Sequence, residues 1–439
     1  MRLTTRSFCF ALASIFVLAF VLRVGLAAKF VGLDSPPDMG ANPDQFDYEW
    51  GAFQITQGNG LVHTNGEPSA IRTPGTALSL APAYAIFGRS YAAGRLWFCL
   101  ISAATCLAAA WVALQLAGRG AAILAAGLLA IYPGHAYYAM HFVSEVPYCF
   151  YLAFAVALTI HFHQRGGKFA GLFAGICWAM AIHCRPQLIL LLPIAMVAAL
   201  ALYRRMDRTQ SVAAMRVWAV QTCIVTALVA PWFIRNAIVI GKPVFTTIAG
   251  HGLWGVHNPL TFNDPTYRGD WIRVSDLERM FGKLPQGELA KDAEASRRGW
   301  ESIAVNFPRL PQLVLYKLGR FVSPFMDTPN KTVRWAFALS WIAVIPFMLI
   351  GGWHAWKHAK SSMFIFLLPV VATIATIVLF YGSIRFRDSI APLFIAMAGI
   401  GAAKVLSMIA SLRSAKADTS IETVPQNIPM PQSEQRRAA

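Results

Sequence analysis

Residues 8–28 read FCFALASIFVLAFVLRVGLAA, an apolar run that is interrupted only by Arg23. About 20 residues of α-helix are enough to cross the hydrocarbon core of a bilayer. A basic N-terminus before an apolar run is also typical of a signal peptide, but this run is long for one and Leu26-Ala27-Ala28 is a poor cleavage site. The sequence therefore predicts an uncleaved first membrane span.

Further apolar runs follow the first, so that the sequence predicts an all-α membrane protein with about ten spans. They lie at 91–117, 120–138, 144–163, 169–184, 187–203, 214–233, 334–353, 362–382 and 389–411. The fifth and sixth spans are short and meet at Cys184-Arg185-Pro186, where the proline favours a break between two helices.

The composition agrees with a membrane protein. Of the 439 residues, 56% are hydrophobic and only 13% are charged, and the mean hydropathy is +0.50. These values exclude an ordinary cytosolic enzyme, a disordered protein and a disulfide scaffold, because soluble domains carry about 25% charged residues. The net charge of +17 would suggest nucleic acid as a partner of a soluble protein. Here Lys and Arg are expected at the cytoplasmic ends of spans, and no nucleic-acid partner is expected.

The basic residues also predict a topology. With the N-terminus inside, every inside turn is basic, as the positive-inside rule requires. These turns carry Arg119, Arg165, Lys168, Arg204, Arg205, Arg208, Lys357, Lys360, Arg413 and Lys416. Both termini are then cytoplasmic, residues 1–411 form the transmembrane domain, and the polar segment 412–439 is a disordered tail.

Two long segments are left on the outer side, at 29–90 and 234–333, in addition to a short outer loop around 134–147. In the first, a helix is expected over 44–57, stopped by Gly58-Asn59-Gly60, and an interfacial helix over 77–87. In the second, helices are expected over 287–306 and 308–321. Polar outer loops on a hydrophobic protein are where function is to be sought.

Two acidic residues in the outer segments are candidate catalytic groups. Asp44 begins the predicted helix of the first segment, and Glu145 stands at the outer mouth of the fourth span. Either carboxylate can serve simply as a helix N-terminal residue, stabilised by the helix dipole. Either can instead face a polar cavity, where a carboxylate acts as a general base for an incoming hydroxyl.

Arginines on the outer side are the less expected feature, because the positive-inside rule places basic residues on the other face. The four that adjoin spans are Arg72, Arg235, Arg385 and Arg387. The guanidinium fork matches phosphate geometry, so that several arginines around one cavity indicate a lipid phosphate or diphosphate as ligand. The alternative is contact with lipid headgroups, with Asp388 as the partner of one arginine.

An ordered set of motifs resembles the GT-C superfamily of polyprenyl-phosphate-sugar glycosyltransferases, which includes protein mannosyltransferases and bacterial aminoarabinose transferases. The similarity covers residues 8–411. Its motifs are PDQFDYEWGAFQITQGNGLV at 43–62, EPSAIRTPGTALSLAPAYAIFG at 67–88, SEVPY at 144–148, CRP at 184–186, PWFIRN at 231–236, AGHGLWGVHNP at 249–259 and RFRDSIAPL at 385–393. Two positions depart from the family pattern: Gln45 stands where a Glu is common, and Asp388 where a neutral residue is usual.

The resemblance implies roles for particular residues. Asp44 matches the catalytic acid of the first outer loop and Glu145 the acidic position of the second. The four outer arginines match basic positions near the lipid phosphate. Three neighbouring residues are expected to line the cavity, namely Tyr48, His141 and Asn236. A divalent cation, Mg or Mn, shared by Asp44 and Glu145, stays open as a cofactor.

The resemblance further implies an inverting transfer at the periplasmic face of a bacterial inner membrane. An acceptor lipid, glycan or protein would attack C1 of a sugar carried on undecaprenyl phosphate. Asp44 would take the acceptor proton, and the arginines would stabilise the leaving phosphate. Two alternatives stay open at this point: a membrane transporter, and a catalytically silent protein that binds lipid-linked sugar.

Overall fold

Helices account for almost all regular structure in the computed structural model, which describes residues 4–40, 42–190 and 208–421. Within these ranges the chain forms no β-strand, and its one isolated β-bridge joins Val62 to Pro68. The N-terminal half contains α1 (Thr5–Phe30), α2 (Asp44–Thr56), α3 (Gly75–Phe87), α4 (Tyr91–Ala117), α5 (Arg119–Ile131), α6 (Pro133–Tyr138), α7 (Glu145–Arg165), α8 (Lys168–Cys184) and a 3₁₀ turn (Pro186–Leu190).

The C-terminal half begins with α9 (Arg208–Val239), whose last turns contain the PWFIRN motif. The long segment after it carries α10 (Ala249–Val256), α11 (Pro259–Asn263), α12 (Val274–Phe281), α13 (Glu288–Val305), a 3₁₀ turn (Phe307–Arg309) and α14 (Leu310–Val322). The final helices are α15 (Lys331–His358), α16 (Lys360–Leu379), α17 (Ile384–Ser389) and α18 (Ala391–Ile421).

Seven of the described helices are long and apolar enough to cross a membrane: α1, α4, α7, α9, α15, α16 and α18. Three shorter apolar helices, α3, α5 and α8, pack among them. The prediction of a multi-pass helical membrane protein is confirmed, but the count of ten spans is not. Of the predicted sixth span, 187–203, the part from 191 onward lies outside the described residues.

The predicted third span, 120–138, is wrong as a single helix. Helix α5 ends at Ile131, and Pro133 begins the short α6. Proline has no backbone N–H to continue the helix. The 13 residues of α5 rise about 20 Å, which is less than the thickness of the hydrocarbon core.

Arg23 compensates for this early helix end. Its guanidinium is fully buried and donates hydrogen bonds to the carbonyls of Leu129 and Ala130 at 3.3 and 3.1 Å, and to Ser102 Oγ at 2.7 Å. The last carbonyls of a helix lack partners within the helix, and a water-free interior supplies none. A charged residue inside an apolar span is therefore explained by the helix terminus that it satisfies.

Two close contacts set the arrangement of the bundle. Gly351 of α15 and Gly401 of α18 allow these helices to touch, since a Cβ at either would lie 1.9 Å from a carbonyl oxygen of the other helix. At the other contact, a Cβ on Gly75 of α3 would lie 2.4 Å from the backbone of His183 and Cys184. The start of α3 thus meets the end of α8, which brings the residues before α3 beside those after α8.

The four predicted loop helices agree with the structure to within a few residues. Helix α3 has Leu80, Ala83 and Tyr84 buried against the rest of the protein, and its position at the membrane interface stays a prediction. Helix α18 continues to Ile421, so the predicted disordered tail is wrong for 412–421, and 422–439 lie outside the described residues.

Candidate active site

Arg72 joins the two acidic residues in the first turn of α2. Its Nη2 lies 2.6 Å from Asp44 Oδ1 and its Nε lies 2.9 Å from Asp47 Oδ2. The carboxylates stand near the helix N-terminus, where the free backbone amides favour negative charge. Arg72 also lies over the ring of Tyr48 at 5.6 Å, so that three α2 side chains fix its position.

Glu145, the first residue of α7, is held by two further arginines. Arg385 Nε lies 2.5 Å from Oε1, and Arg185 Nη2 lies 2.8 Å from the same oxygen. The Glu145 side chain is only 1% exposed. A buried carboxylate without such partners would be strongly destabilising.

Arg385 connects the two groups, because its Nη1 lies 3.7 Å from Asp44 Oδ2. Six residues from five segments of the chain thus form one chain of alternating charge, which we name the acid–arginine row. In spatial order it consists of Arg185, Glu145, Arg385, Asp44, Arg72 and Asp47. Positive and negative charges balance, so the row can exist in a low-dielectric setting without an isolated charge.

The row is accessible at one end only. The side chains of Asp44, Arg72 and Arg385 are 27%, 23% and 29% exposed, whereas Glu145 is closed off. Burial pushes the pKa of Asp44 upward, but the charges of Arg72 and Arg385 outweigh it, so this pKa lies below its ordinary value. A ligand can therefore reach an ionised Asp44 and two guanidinium groups together.

The predicted cavity residues fall into two groups. Tyr48 lies beneath Arg72, and His141 lies in an aromatic cluster with Tyr137 at 5.0 Å. Burial and, secondarily, the Arg95 charge lower the pKa of His141 to about 4, which leaves the ring neutral at pH 7. Asn236 is fully buried and donates to the carbonyl of Val244, away from the row.

Two of the predicted phosphate-binding arginines are not brought into the row. Arg235 donates to the carbonyls of Ser69 and Leu61, both at 2.8 Å. Arg387 is fully buried, pairs with Asp388 at 3.1 Å and lies over the ring of Trp341 at 4.6 Å. Asp388 thereby serves a structural ion pair, which accounts for one of the two departures from the family pattern.

Gln45, the other departure, does not face the row. It is 1% exposed, accepts a hydrogen bond from the Phe142 amide at 3.2 Å and donates to the Asp38 carbonyl at 3.3 Å. This side chain links the first loop to the segment before α7. The absence of an acid at 45 thus leaves the charge of the row unchanged.

Arg185 is the site residue that the sequence reasoning missed. It lies between Cys184 and Pro186, in a motif that was singled out without a role for the arginine. It lies near the rings of Tyr148 and Phe386, both at 5.6 Å. The sequence does show that Arg185 is a charged residue between two apolar runs. An ionisable residue within membrane-spanning segments is usually functional or paired, so this position could have indicated a site residue.

A divalent cation shared by Asp44 and Glu145 does not fit this arrangement, because the Arg385 guanidinium lies between the two carboxylates. Among the described residues, no three His, Cys, Asp or Glu side chains lie together in a way that could hold a metal ion.

Comparison with known proteins adds the fold family. Residues 71–234 match the family model of dolichyl-phosphate-mannose-protein mannosyltransferases, a range that includes Arg72, Glu145 and Arg185. The fold is similar to that of the archaeal oligosaccharyltransferase AglB from Archaeoglobus fulgidus in complex with an inhibitory peptide and a dolichol-phosphate. The TM-score is 0.55 at 15% identity, over 93% of this chain and 52% of AglB. The chain has a GT-C fold.

Two further solved structures are similar to this chain. The apo form of the same oligosaccharyltransferase gives a TM-score of 0.55 at 14% identity, over 93% of this chain and 52% of that one. ArnT from Cupriavidus metallidurans, bound to undecaprenyl phosphate, gives a TM-score of 0.45 at 13% identity, over 92% of this chain and 79% of ArnT. No curated protein sequence matches the chain. The chain spans about half the length of AglB.

Proposed function

We propose that this GT-C protein transfers a sugar from a polyprenyl-phosphate donor to an acceptor, with inversion at C1. The observation that carries the proposal is the open end of the acid–arginine row, where Asp44 lies between Arg72 and Arg385. This arrangement presents a proton acceptor and two anion-binding groups at one place. The GT-C fold and the family match over 71–234 support the same reaction class.

The arginines serve the leaving group. As the C1–O bond to phosphate breaks, the bonding electrons pass to the phosphate oxygen and its negative charge grows. Arg72 and Arg385 are partly exposed and offer charge-assisted N–H donors to that oxygen. The incoming phosphate would replace carboxylates as their partner, which frees Asp44 from its ion pairs.

Asp44 serves the acceptor. The acceptor oxygen or nitrogen forms its bond to C1 on the face opposite the departing phosphate, and its proton passes to the Asp44 carboxylate. A carboxylate released from Arg72 and Arg385 is a stronger base than one still paired with them. Donor binding would therefore activate the base at the moment when it is needed.

Glu145 has a different role in this proposal. With 1% of its side chain exposed, it does not contact substrate. It is a positioning residue that fixes the Arg385 guanidinium through the 2.5 Å contact and balances the charge of Arg185. The predicted pair of acids thus divides into one catalytic base and one positioning group.

The membrane setting fits a lipid-linked donor. A polyprenyl chain can lie along the apolar helices while its phosphate reaches the polar end of the bundle. We place this end on the outer, periplasmic side of a bacterial inner membrane, with both termini cytoplasmic, because the basic residues lie at the opposite ends of the spans. The acceptor is a lipid, a glycan or a protein presented on that side.

The direct test uses the purified full chain in proteoliposomes with radiolabelled sugar on undecaprenyl phosphate and membrane extract as acceptor. We expect sugar transfer with stoichiometric release of undecaprenyl phosphate, and none from a nucleotide sugar. Saturable donor binding without release would instead show a silent binding protein. Accumulation of labelled sugar inside the vesicles would show a transporter.

A further inference from the structure

The segment just before Arg72 is held at almost every backbone polar atom by residues from elsewhere in the chain. The carbonyls of Ser69, Ala70 and Ile71 accept hydrogen bonds at 2.8 to 3.0 Å. Their donors are the Arg235 guanidinium, the Thr247 amide and the Thr246 hydroxyl, in that order. The Ala70 amide donates to Glu288 Oε2 at 3.0 Å.

Glu288, the first residue of α13, makes the most contacts in this arrangement. Besides the Ala70 amide, Oε2 accepts from Thr247 Oγ1 at 2.6 Å, and Oε1 lies 2.5 Å from His63 Nε2. Its side chain is 14% exposed. Burial alone would raise the pKa of Glu288, but hydrogen bonds from Ser69, Thr247 and Ala70 lower it below its ordinary value, so that the carboxylate is ionised.

These contacts join two parts of the chain that lie far apart in sequence. Glu288 lies in the long segment after α9, 218 residues beyond Ala70. Residues 69 and 70 have no regular secondary structure of their own. Buried backbone groups need partners, so the conformation of this segment depends on the residues that supply them. Arg72 follows Ala70 by two positions and extends its guanidinium to Asp44.

We propose that Glu288 is a positioning residue for Arg72: it fixes Ala70, and thereby holds the Arg72 guanidinium in place for the donor phosphate. Glu288 thus acts on the donor site through the backbone of Ala70 rather than through a contact of its own with the donor. This inference rests on the proposed function in assigning the phosphate to Arg72. The hydrogen bond from the Ala70 amide to Glu288 can be tested without measuring sugar transfer.

The experiment compares Glu288→Ala and Glu288→Gln with Glu301→Gln, a matched control. Glu301 lies on the same helix, has 60% of its side chain exposed and, among the residues that the structure describes, pairs with Arg297 alone. Two quantities are measured on the full chain in detergent or nanodiscs. One is backbone amide hydrogen exchange in a peptide that includes Ala70, and the other is the KM for the lipid-linked donor against the KM for the acceptor.

For Glu288→Ala we expect Ala70 exchange faster by about tenfold or more, because the acceptor of its amide is lost. The donor KM rises by a similar factor and the acceptor KM stays within about twofold. Glu288→Gln keeps an oxygen that can accept from Ala70, so its effects are smaller. A merely structural role would lower the amount of active enzyme and leave the donor KM unchanged.

The proposal is overturned if both Glu288 variants match Glu301→Gln in exchange and in donor KM. It is also overturned if exchange quickens while donor and acceptor KM rise together. If the unaltered protein transfers no sugar from any donor, the proposed function fails. In that case exchange at Ala70, together with binding of undecaprenyl phosphate, still decides whether Glu288 positions Arg72. If Glu288→Ala fails to fold, Ala70 exchange and donor KM are compared between Glu288→Gln and Glu301→Gln instead.

Discussion

Arg385 donates from Nε to Oε1 of Glu145 at 2.5 Å, although the two residues are 240 positions apart. This contact ties the start of α7 to the short α17 and leaves the far side of the guanidinium 3.7 Å from Asp44. The orientation of the exposed arginine is therefore set by a buried acid. The geometry of the accessible end of the row therefore depends on the closed end.

Replacing Glu145 by Gln is expected to lower both stability and donor affinity. The change removes the counter-ion of the largely buried Arg185 and leaves Arg385 with Asp44, 3.7 Å away. Breaking a buried ion pair by removing one partner costs about 3–5 kcal/mol. Thermal unfolding in detergent would show a clearly lower Tm, and steady-state assays a higher donor KM. An unchanged Tm would contradict the structural ion pair, whatever the activity.

Arg23→Ala is expected to destabilise the fold without altering the reaction. The substitution removes the Arg23 donor from the Ala130 carbonyl of α5, which costs about 1–3 kcal/mol, whereas the Leu129 carbonyl keeps the Tyr132 amide at 3.4 Å. The donor KM should stay the same, because Arg23 is not part of the row. Arg165→Ala, an exposed arginine at the end of α7, serves as the control with no loss of Tm. If Arg23→Ala had the same Tm as Arg165→Ala, Arg23 would not stabilise the end of α5.

Gln45→Glu is expected to reduce stability and to leave the transfer rate no higher. The acid would lose the hydrogen bond to the Asp38 carbonyl and would place a charge in a site that is 1% exposed. The comparison measures initial rates per folded molecule. A faster enzyme would indicate that the residue at 45 does contribute to the acidity of the site.

The pH dependence follows from the lowered pKa of Asp44. In the free enzyme the arginines hold this carboxylate ionised, so the acid limb of kcat/KM should lie at a lower pH than the ordinary pKa of an aspartate. In the donor complex the phosphate competes for Arg72 and Arg385, which lets the pKa of Asp44 rise. The acid limb of kcat should therefore lie at a higher pH than that of kcat/KM. If the acid limb of kcat lay at the same pH as that of kcat/KM, or at a lower pH, the donor phosphate would not replace Asp44 as the partner of Arg72 and Arg385.

Sequence reasoning recovered the parts of this fold that depend on local pattern. Apolar length located the long spans, and the expected helix at 44–57 corresponds to Asp44–Thr56. The sequence prediction failed where a single residue ends a helix inside a long apolar run. Pro133 divides the predicted third span, and the apolar composition on both sides concealed that break. Arg23 was visible as an anomaly, but its carbonyl partners lie on another helix.

The candidate site shows the same division. Glu145, Arg72 and Arg385 were selected by their positions beside spans and Asp44 by its place at the start of an outer helix. The structure brings all four together. Arg235 and Arg387 satisfied the same criterion yet hold backbone carbonyls and a buried acid. Residue type and span position could not distinguish these cases, because the partner of an arginine is fixed by tertiary packing. Arg185 was missed for the same reason.

The most direct test of the account compares Asp44→Asn with Asp47→Asn in single-turnover transfer from the lipid-linked donor. Both acids stand on the first turn of α2 and both bind Arg72. Loss of a general base should slow Asp44→Asn by about 10²–10⁴-fold at saturating donor, whereas Asp47→Asn should lose less than about tenfold. Equal rates in the two variants, with both proteins folded, would contradict Asp44 as the base.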